Sequence, residues 1–410
     1  MTSFFPLTSC GSWCVRDSRK GCSVSDASGF IPYARQTIDS DDIAAVTAAL
    51  RSDLITTGPV VRTFETEMCD FLHVPYGVAV SNGTAALHAA VYAAGVGDGD
   101  EVIVSPLTFA ASANCVLYQR GTPIFADVDA DTLLLKPTAV ESKISKHTKA
   151  VIAVDYAGQP CDYTALRALC DRYHLTLIAD CAHSPGAAFQ NKSSAQWADI
   201  ATYSFHPVKH LTSGEGGMVV TRSETLARRM RQFRNHGIDS DHLNRAAAGT
   251  FEYRMVTLGY NYRICDFQCA LASSQLKKLA HWIERRRQIA AMYDDAFNSD
   301  ERMAPLRVHH DAFHVYHLYV IRLATRYTAV DRRALFDQLR ASGIGVNVHY
   351  LPVYRHDYYQ QHFKGCSNNC PNADAAYDRI ISIPMYSALS DQQVMRVISA
   401  VQKGLDSLSV

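Results

Sequence analysis

Ala201-Thr202-Tyr203-Ser204-Phe205-His206-Pro207-Val208-Lys209-His210-Leu211-Thr212-Ser213-Gly214-Glu215-Gly216-Gly217 sets a lysine between a hydroxyl-bearing strand end and a Gly-rich turn. A buried amine held in this way can form a Schiff base with a carbonyl cofactor. Taken alone, the stretch reads as a surface lysine in a loop. The decision rests with the elements around it.

Those elements alternate. Short apolar strands are expected at Gly77–Val80, Val102–Val104, Pro123–Phe125, Ala150–Val154, Thr176–Ala179, Ile200–Ser204 and Met218–Val220, with helices between them. Apolar strands separated by helices predict an α/β fold with a mainly parallel sheet covered on both faces. Such sheets carry their functional groups beyond the carboxyl ends of the strands. Asn82-Gly83-Thr84, Phe109, Asp180 and Ser204 all fall at such ends, as does Lys209.

Two amphipathic helices precede this pattern, the first capped by Asp39. A polar loop from about residue 235 to 250 follows it, and then a helical stretch from Asp266 to Phe297. The remainder is expected to form a smaller C-terminal α+β domain. Its expected elements are a strand at Val315–Leu323, a helix at Arg332–Ser342, a strand at Gly345–Tyr350 and two closing helices. The expected division is a disordered extension over residues 1–29, a large domain over 30–265, and a linking helix with a small domain over 266–410.

Composition narrows the function classes. Forty basic and forty acidic residues cancel across 410 positions, which argues against nucleic acid or an anionic membrane as main partner. No apolar run approaches the ~20 residues needed to span a bilayer. The first residues lack the charge-then-apolar order of a secretory signal. A cytoplasmic location is therefore expected. The twelve cysteines are scattered and are expected to be free thiols. Cys10/Cys14 and Cys366/Cys370 are C-x3-C pairs with no second pair at zinc-finger distance, so no metal is expected.

Each strand-end residue has a functional and an ordinary reading. Asp180 could hold a protonated ring nitrogen, or cap a helix. Ser81-Asn82-Gly83-Thr84-Ala85 could cradle a phosphate on helix N–H groups, or simply start a helix. Ser204 could add a hydroxyl to that phosphate. Phe109 could stack on a flat ring or fill the core. His183 could reach the same ligand or be structural. One cofactor accounts for the set: pyridoxal 5′-phosphate (PLP), which needs a lysine, a carboxylate at its ring nitrogen, a ring platform and an anion cradle.

With these residues in view, the sequence resembles the DegT/DnrJ/EryC1/StrS family of sugar-nucleotide aminotransferases. The resemblance runs from about Ile31 to Val401. It is carried by Ser81–Leu87, Pro106–Phe109, Asp155–Gly158, Asp180–His183, Ser204–Lys209, Glu215–Gly217, Leu258–Arg263 and Val348–Tyr350. It implies the type I aminotransferase fold and a homodimer with shared active sites. Lys209 would form the Schiff base and Asp180 would hold the ring nitrogen. Phe109 would stack, with His183 nearby. Asn82, Gly83, Thr84 and Ser204 would bind the cofactor's phosphate end, joined by Asn261 from the neighbouring subunit.

The same segments look like the subgroup that aminates C4 of UDP-linked 4-keto-6-deoxy-N-acetylhexosamines, on the way to pseudaminic acid. By that analogy L-glutamate is the amino donor. Tyr33, Asp53, Leu54, Ile55, Thr56, Asn82, Asn347, Val348, His349 and Tyr350 would line the sugar-nucleotide site. His210 departs from the subgroup, which usually has Pro there. GDP- or dTDP-linked substrates are alternatives, as are a sugar dehydratase or a non-catalytic regulator on the same fold. In the dehydrating branch His replaces the lysine. Here the lysine is present, which argues for transamination.

Overall fold

The computed structural model describes residues 29–241, 245, 247–363 and 370–408. The expected N-terminal extension (apart from Gly29), Cys10, Cys14 and Cys366 lie outside these residues. Ile31–Val410 is one compact unit.

Its centre is a seven-stranded sheet in the order Tyr76–Val80, Gly217–Thr221, Ile200–Ser204, Thr176–Asp180, Thr148–Val154, Glu101–Val104, Thr122–Phe125. Every neighbouring pair is parallel except the two made by Gly217–Thr221, which runs antiparallel to both of its partners. The reversal follows from the connection. The loop after Ser204 doubles back without a crossover helix, and only a crossover returns a strand in parallel. The strands Val102–Val104, Ala150–Ala153 and Leu177–Ala179 are fully buried, as a sheet covered on both faces requires.

Helix Ser40–Leu50 starts at Asp39, which accepts from Asp41 N and Asp42 N in a capping box. The expected helix from 266 to 297 is two helices, Asp266–Leu276 and Leu279–Phe297. The apolar period continues through the break, so the sequence hides it. At the break Lys278 Nζ pairs with Asp39, the N-cap of the first helix, and with Asp42 within it.

Two further expectations need correction. The strand beginning at Val315 begins instead at Tyr319. Tyr316 has φ +49°, a left-handed conformation that ends any strand, and Val315 and Leu318 donate instead to Gly158 O and Ala157 O. Gly345–Tyr350 is not a strand. Asn347 bridges Ser382, but its side chain also takes the Val348 N–H at 2.8 Å, which interrupts a ladder. A strand at Ile380–Ile383, not anticipated, completes a three-stranded sheet with Met303–Pro305 and Tyr319–Leu323.

The apolar core forms two clusters. One fills both faces of the large sheet. The other joins helix Leu279–Phe297, the small sheet and helices Ala329–Ala341 and Asp391–Leu408. The eight described cysteines are free, and all but Cys265 are buried.

Candidate active site

A cavity of about 930 Å³ opens at the carboxyl ends of the parallel strands. Lys209 lines it from the loop that follows Ile200–Ser204. That loop is closed on itself: Phe205 N donates to Gly216 O, Ser213 N to Phe205 O, and Thr212 Oγ1 to Phe205 O. Lys209 N in turn donates to His206 O. Burial lowers the Lys209 amine to about 8, against the opposing pull of Asp180.

Asp180 ends strand Thr176–Asp180 and is 5% exposed. Burial raises its pKa; the Ser112 hydroxyl, the Ala182 N–H and Lys209 oppose that rise. Ser112 Oγ donates to Oδ2 at 2.7 Å and Ala182 N to Oδ1 at 3.1 Å.

The candidate anion cradle is the start of helix Gly83–Ala93. Asn82 caps it, its side chain accepting from Ala85 N at 2.8 Å, and Ala86 N closes onto Asn82 O. Gly83 and Thr84 N–H groups remain at the positive end of the helix. Ser204 stands against this turn: a Cβ at Gly83 would come within 2.8 Å of Ser204 Cβ. Likewise a Cβ on Gly217 would sit 2.5 Å from Asn82 O, so the second glycine of Glu215-Gly216-Gly217 lets the sheet edge reach the cradle.

Phe109 is 63% exposed and turned to the cavity rather than packed in the core. His183 is buried. Its Nε2 lies 3.1 Å from the Tyr350 hydroxyl, while Nδ1 has no partner among the described residues. An unpaired buried nitrogen on a cavity wall fits a bound polar group. Tyr33 and Asn347, Val348, His349 and Tyr350 line the opposite wall. His349 is held there by Ser382 Oγ at 2.8 Å and by Tyr156, whose hydroxyl donates to the His349 carbonyl. Burial lowers its imidazole to about 3.

Asp53, Leu54, Ile55, Thr56 and Asn261 are not in this cavity's lining. Thr56 bridges Cys265 and Asp266 N donates to Ile55 O, which ties the 53–56 loop to the start of helix Asp266–Leu276, while Asn261 bridges Asn235. Asn261 is exposed. Beside it Phe251, Met255 and Leu258 are 87%, 67% and 74% exposed, a large apolar surface for one loop.

Sequence reasoning missed Ser112, Thr108 and His317, all on the cavity wall. His317 packs 4.2 Å from the His183 ring. It sits where the expected strand Val315–Leu323 gives way to irregular backbone, so no pattern marked it. Ser112 and Thr108 had one signal: hydroxyls four apart across a strand-to-helix turn.

A lysine, a buried carboxylate, an aromatic face and a helix N-terminus with hydroxyls meet at one sheet edge. That donor set on this fold defines a PLP enzyme of the type I aminotransferase class. Comparisons with known proteins agree. Residues 36–402 match the DegT/DnrJ/EryC1/StrS aminotransferase family. The spore coat polysaccharide biosynthesis protein SpsC of Bacillus subtilis is 37% identical over 388 residues, covering 93% of this chain and 100% of that one. Among solved structures, Helicobacter pylori PseC, an aminotransferase of pseudaminic acid biosynthesis, superposes with TM-score 0.86 at 31% identity, covering 92% of this chain and 100% of that one. The PLP form of a putative sugar aminotransferase, Spr1654 of Streptococcus pneumoniae, gives TM-score 0.86 at 28% identity, with coverage of 92% and 99%. The chain belongs to the DegT/DnrJ/EryC1/StrS aminotransferase family. It is a PLP-dependent transaminase of sugar-nucleotide substrates. Among the described residues no helix is long and apolar enough to cross a membrane.

Proposed function

We propose that this enzyme moves an amino group from L-glutamate to C4 of a UDP-linked 4-keto-6-deoxy-N-acetylhexosamine, in the making of a surface amino sugar such as pseudaminic acid. The observation that carries the reading is the sharing of one cavity by Lys209, Asp180 and the wall Asn347–Tyr350. The resemblance to PseC supports the sugar.

PLP supplies an electron sink that accepts an amino group from one substrate and gives it to the next. Lys209, with its amine lowered to about 8, would attach the cofactor, and as a free amine would serve as the acid–base group for the proton at the donor's Cα. Asp180, ionised, would accept the hydrogen bond of the protonated ring nitrogen. Gly83 and Thr84 N–H groups, with the Thr84 and Ser204 hydroxyls and Asn82, hold the phosphate. Phe109 covers one ring face, and His183 offers its unpaired Nδ1 to a polar group on the ring. Tyr33 and Asn347–Tyr350 receive the sugar.

The reading includes a cytoplasmic homodimer. The exposed apolar surface of Phe251, Met255 and Leu258 supports an interface there, and in such a dimer Asp53–Thr56 and Asn261 would serve the site of the second copy. Residues 30–265 carry the cofactor; 266–410 link and close the site.

The test is incubation with L-glutamate and, in turn, UDP-, GDP- and dTDP-linked 4-keto sugars. Stoichiometric 2-oxoglutarate and a 4-amino sugar by NMR, with the UDP substrate preferred, are expected. Free ammonia with a deoxygenated sugar would overturn the reading in favour of a dehydratase.

A further inference from the structure

Behind Asp180 lies a pair of buried hydroxyls. Ser112 Oγ donates to Asp180 Oδ2 at 2.7 Å, and Thr108 Oγ1 lies 2.7 Å from Ser112 Oγ. The two residues are 1% and 3% exposed. A hydroxyl has a single proton to donate. That of Ser112 is committed to the carboxylate, so Thr108 must be the donor to Ser112. The chain has a direction: Thr108 to Ser112 to Asp180.

We propose that Thr108 and Ser112 are positioning residues that keep Asp180 ionised and correctly turned as the acceptor for the ring nitrogen's proton. The proposal rests on the assignment of Asp180 to that nitrogen.

Three observations lead to it. First, Asp180 is buried, and burial favours the neutral carboxyl, which cannot stabilise a protonated ring. Second, the charged and titratable groups that face Asp180 give it little fixed support. Cys115 on the adjoining helix, Cys181 on its own segment and Tyr350 on the opposite wall are all pushed up and carry no charge at neutral pH. Lys209 is the cation among them, and its charge changes whenever its amine bonds to a carbonyl. The hydroxyl chain is neutral and present throughout. Successive donors in one direction also polarise each other, which strengthens the last bond. Third, both carboxylate oxygens are tied: Oδ2 by Ser112 and Oδ1 by Ala182 N. The plane of the group is thereby fixed, with lone pairs left for the ring.

The spacing gives the local logic. Thr108 and Ser112 are four apart and straddle the turn into helix Ala111–Tyr118, with Phe109 between them facing the cavity. One turn therefore carries both the ring platform and the support for the ring's counter-charge.

The test reads protonation directly. PLP labelled with ¹⁵N in the ring is loaded into wild type and into Ser112→Ala, Thr108→Val, Thr108→Ser and Asp180→Asn. In the same proteins without cofactor, the Asp180 carboxyl is titrated by ¹³C NMR, assigned by its absence in Asp180→Asn. Loss of a hydrogen bond to a charged group should raise the Asp180 midpoint in Ser112→Ala by roughly one pH unit. Its ¹⁵N signal should move toward the unprotonated ring. Thr108→Val should do the same to a smaller extent, and Thr108→Ser should restore both signals. Melting curves of the cofactor-free variants exclude a general loss of fold, and Thr108→Val, matched in shape, keeps the test open if Ser112→Ala unfolds. Wild-type ¹³C and ¹⁵N behaviour in folded Ser112→Ala, with a moved ¹⁵N signal in Asp180→Asn, would overturn the proposal alone. An unmoved ¹⁵N signal in Asp180→Asn would overturn the underlying assignment as well.

Discussion

His210 Nε2 stands 2.9 Å from the carbonyl oxygen of Val315, and that bond turns the ring beside the lysine away from the cavity. A nitrogen facing a carbonyl must carry the proton, so the ring is neutral with its hydrogen on Nε2. Burial and the nearby Arg286 keep it so. His210 is thus a strut between the lysine loop and the segment that carries His317. His210→Phe should fill the space but leave the Val315 carbonyl unpaired. The expected loss is about 1–3 kcal/mol of stability by urea unfolding, with the visible absorbance of bound PLP retained. Loss of that absorbance in a folded His210→Phe protein would show a direct role in the cofactor site.

Asp155 explains a matched motif whose role the sequence did not reveal. Its carboxyl accepts from Ser184 Oγ and Ser194 Oγ at 2.6 Å each, Tyr163 OH at 2.8 Å and Cys161 N at 3.0 Å. It is fully buried, and burial raises it to about 6 despite these donors. The group knots four segments behind the sheet. Asp155→Ala strands several buried donors and should cost about 3–5 kcal/mol. Asp155→Asn should cost less, because its Oδ1 still accepts. Equal melting points for the two variants would contradict this.

The parts of this molecule that were legible in the sequence are those decided locally. Apolar runs between helices placed the strands, and small or hydroxyl residues after Val80 and Ser204 marked the cradle. Lys209, Asp180, His183, Phe109 and the Asn347–Tyr350 wall do meet at one cavity. What was hidden depends on distant partners. Lys278, at the break before Leu279, pairs with Asp39 and Asp42, more than 230 residues away. Arg286 is buried on a helix, and its Nη1 donates to the distant carbonyls of Tyr316, His317 and Met385. Ser112 gains meaning only when Asp180 arrives from another strand. A periodicity cannot report a partner that the fold has yet to bring.

Lys209→Ala should reduce amino transfer by roughly 10³-fold or more, since one residue serves as attachment point and proton carrier. A pH effect accompanies it. The neutral amine is the nucleophile, and the lysine is lowered to about 8. The rate at which cofactor-free enzyme takes up PLP should therefore rise with pH up to about 8 and level off above it. Stopped-flow absorbance measures this. A profile still rising steeply past pH 9 would mean an unshifted lysine near its ordinary ~10.4.

The buried imidazoles around the site make a final prediction about acid. His183, His210 and His317 are held well below the ordinary histidine value, mainly by burial. His314 and His349 are lowered to about 3 for the same reason. Unfolded, each takes a proton near pH 6.5. Below that value the unfolded chain binds more protons than the folded one, so stability falls as pH drops, by about 1.4 kcal/mol per pH unit for each histidine at the steepest point. Asp155, Asp180 and Asp294 act the other way, because their raised values let the folded state hold a proton that the unfolded state has lost. Counting His88, which burial lowers to about 4 away from the site, six imidazoles outnumber these three carboxyls, so the net slope is acid-destabilising between about pH 6.5 and about pH 4. The urea midpoint should fall steadily across that window, and His317→Phe should flatten the fall by one proton's worth. A midpoint that held constant from pH 7 to pH 5 would mean that these rings are already charged, or already open to water, in the folded enzyme.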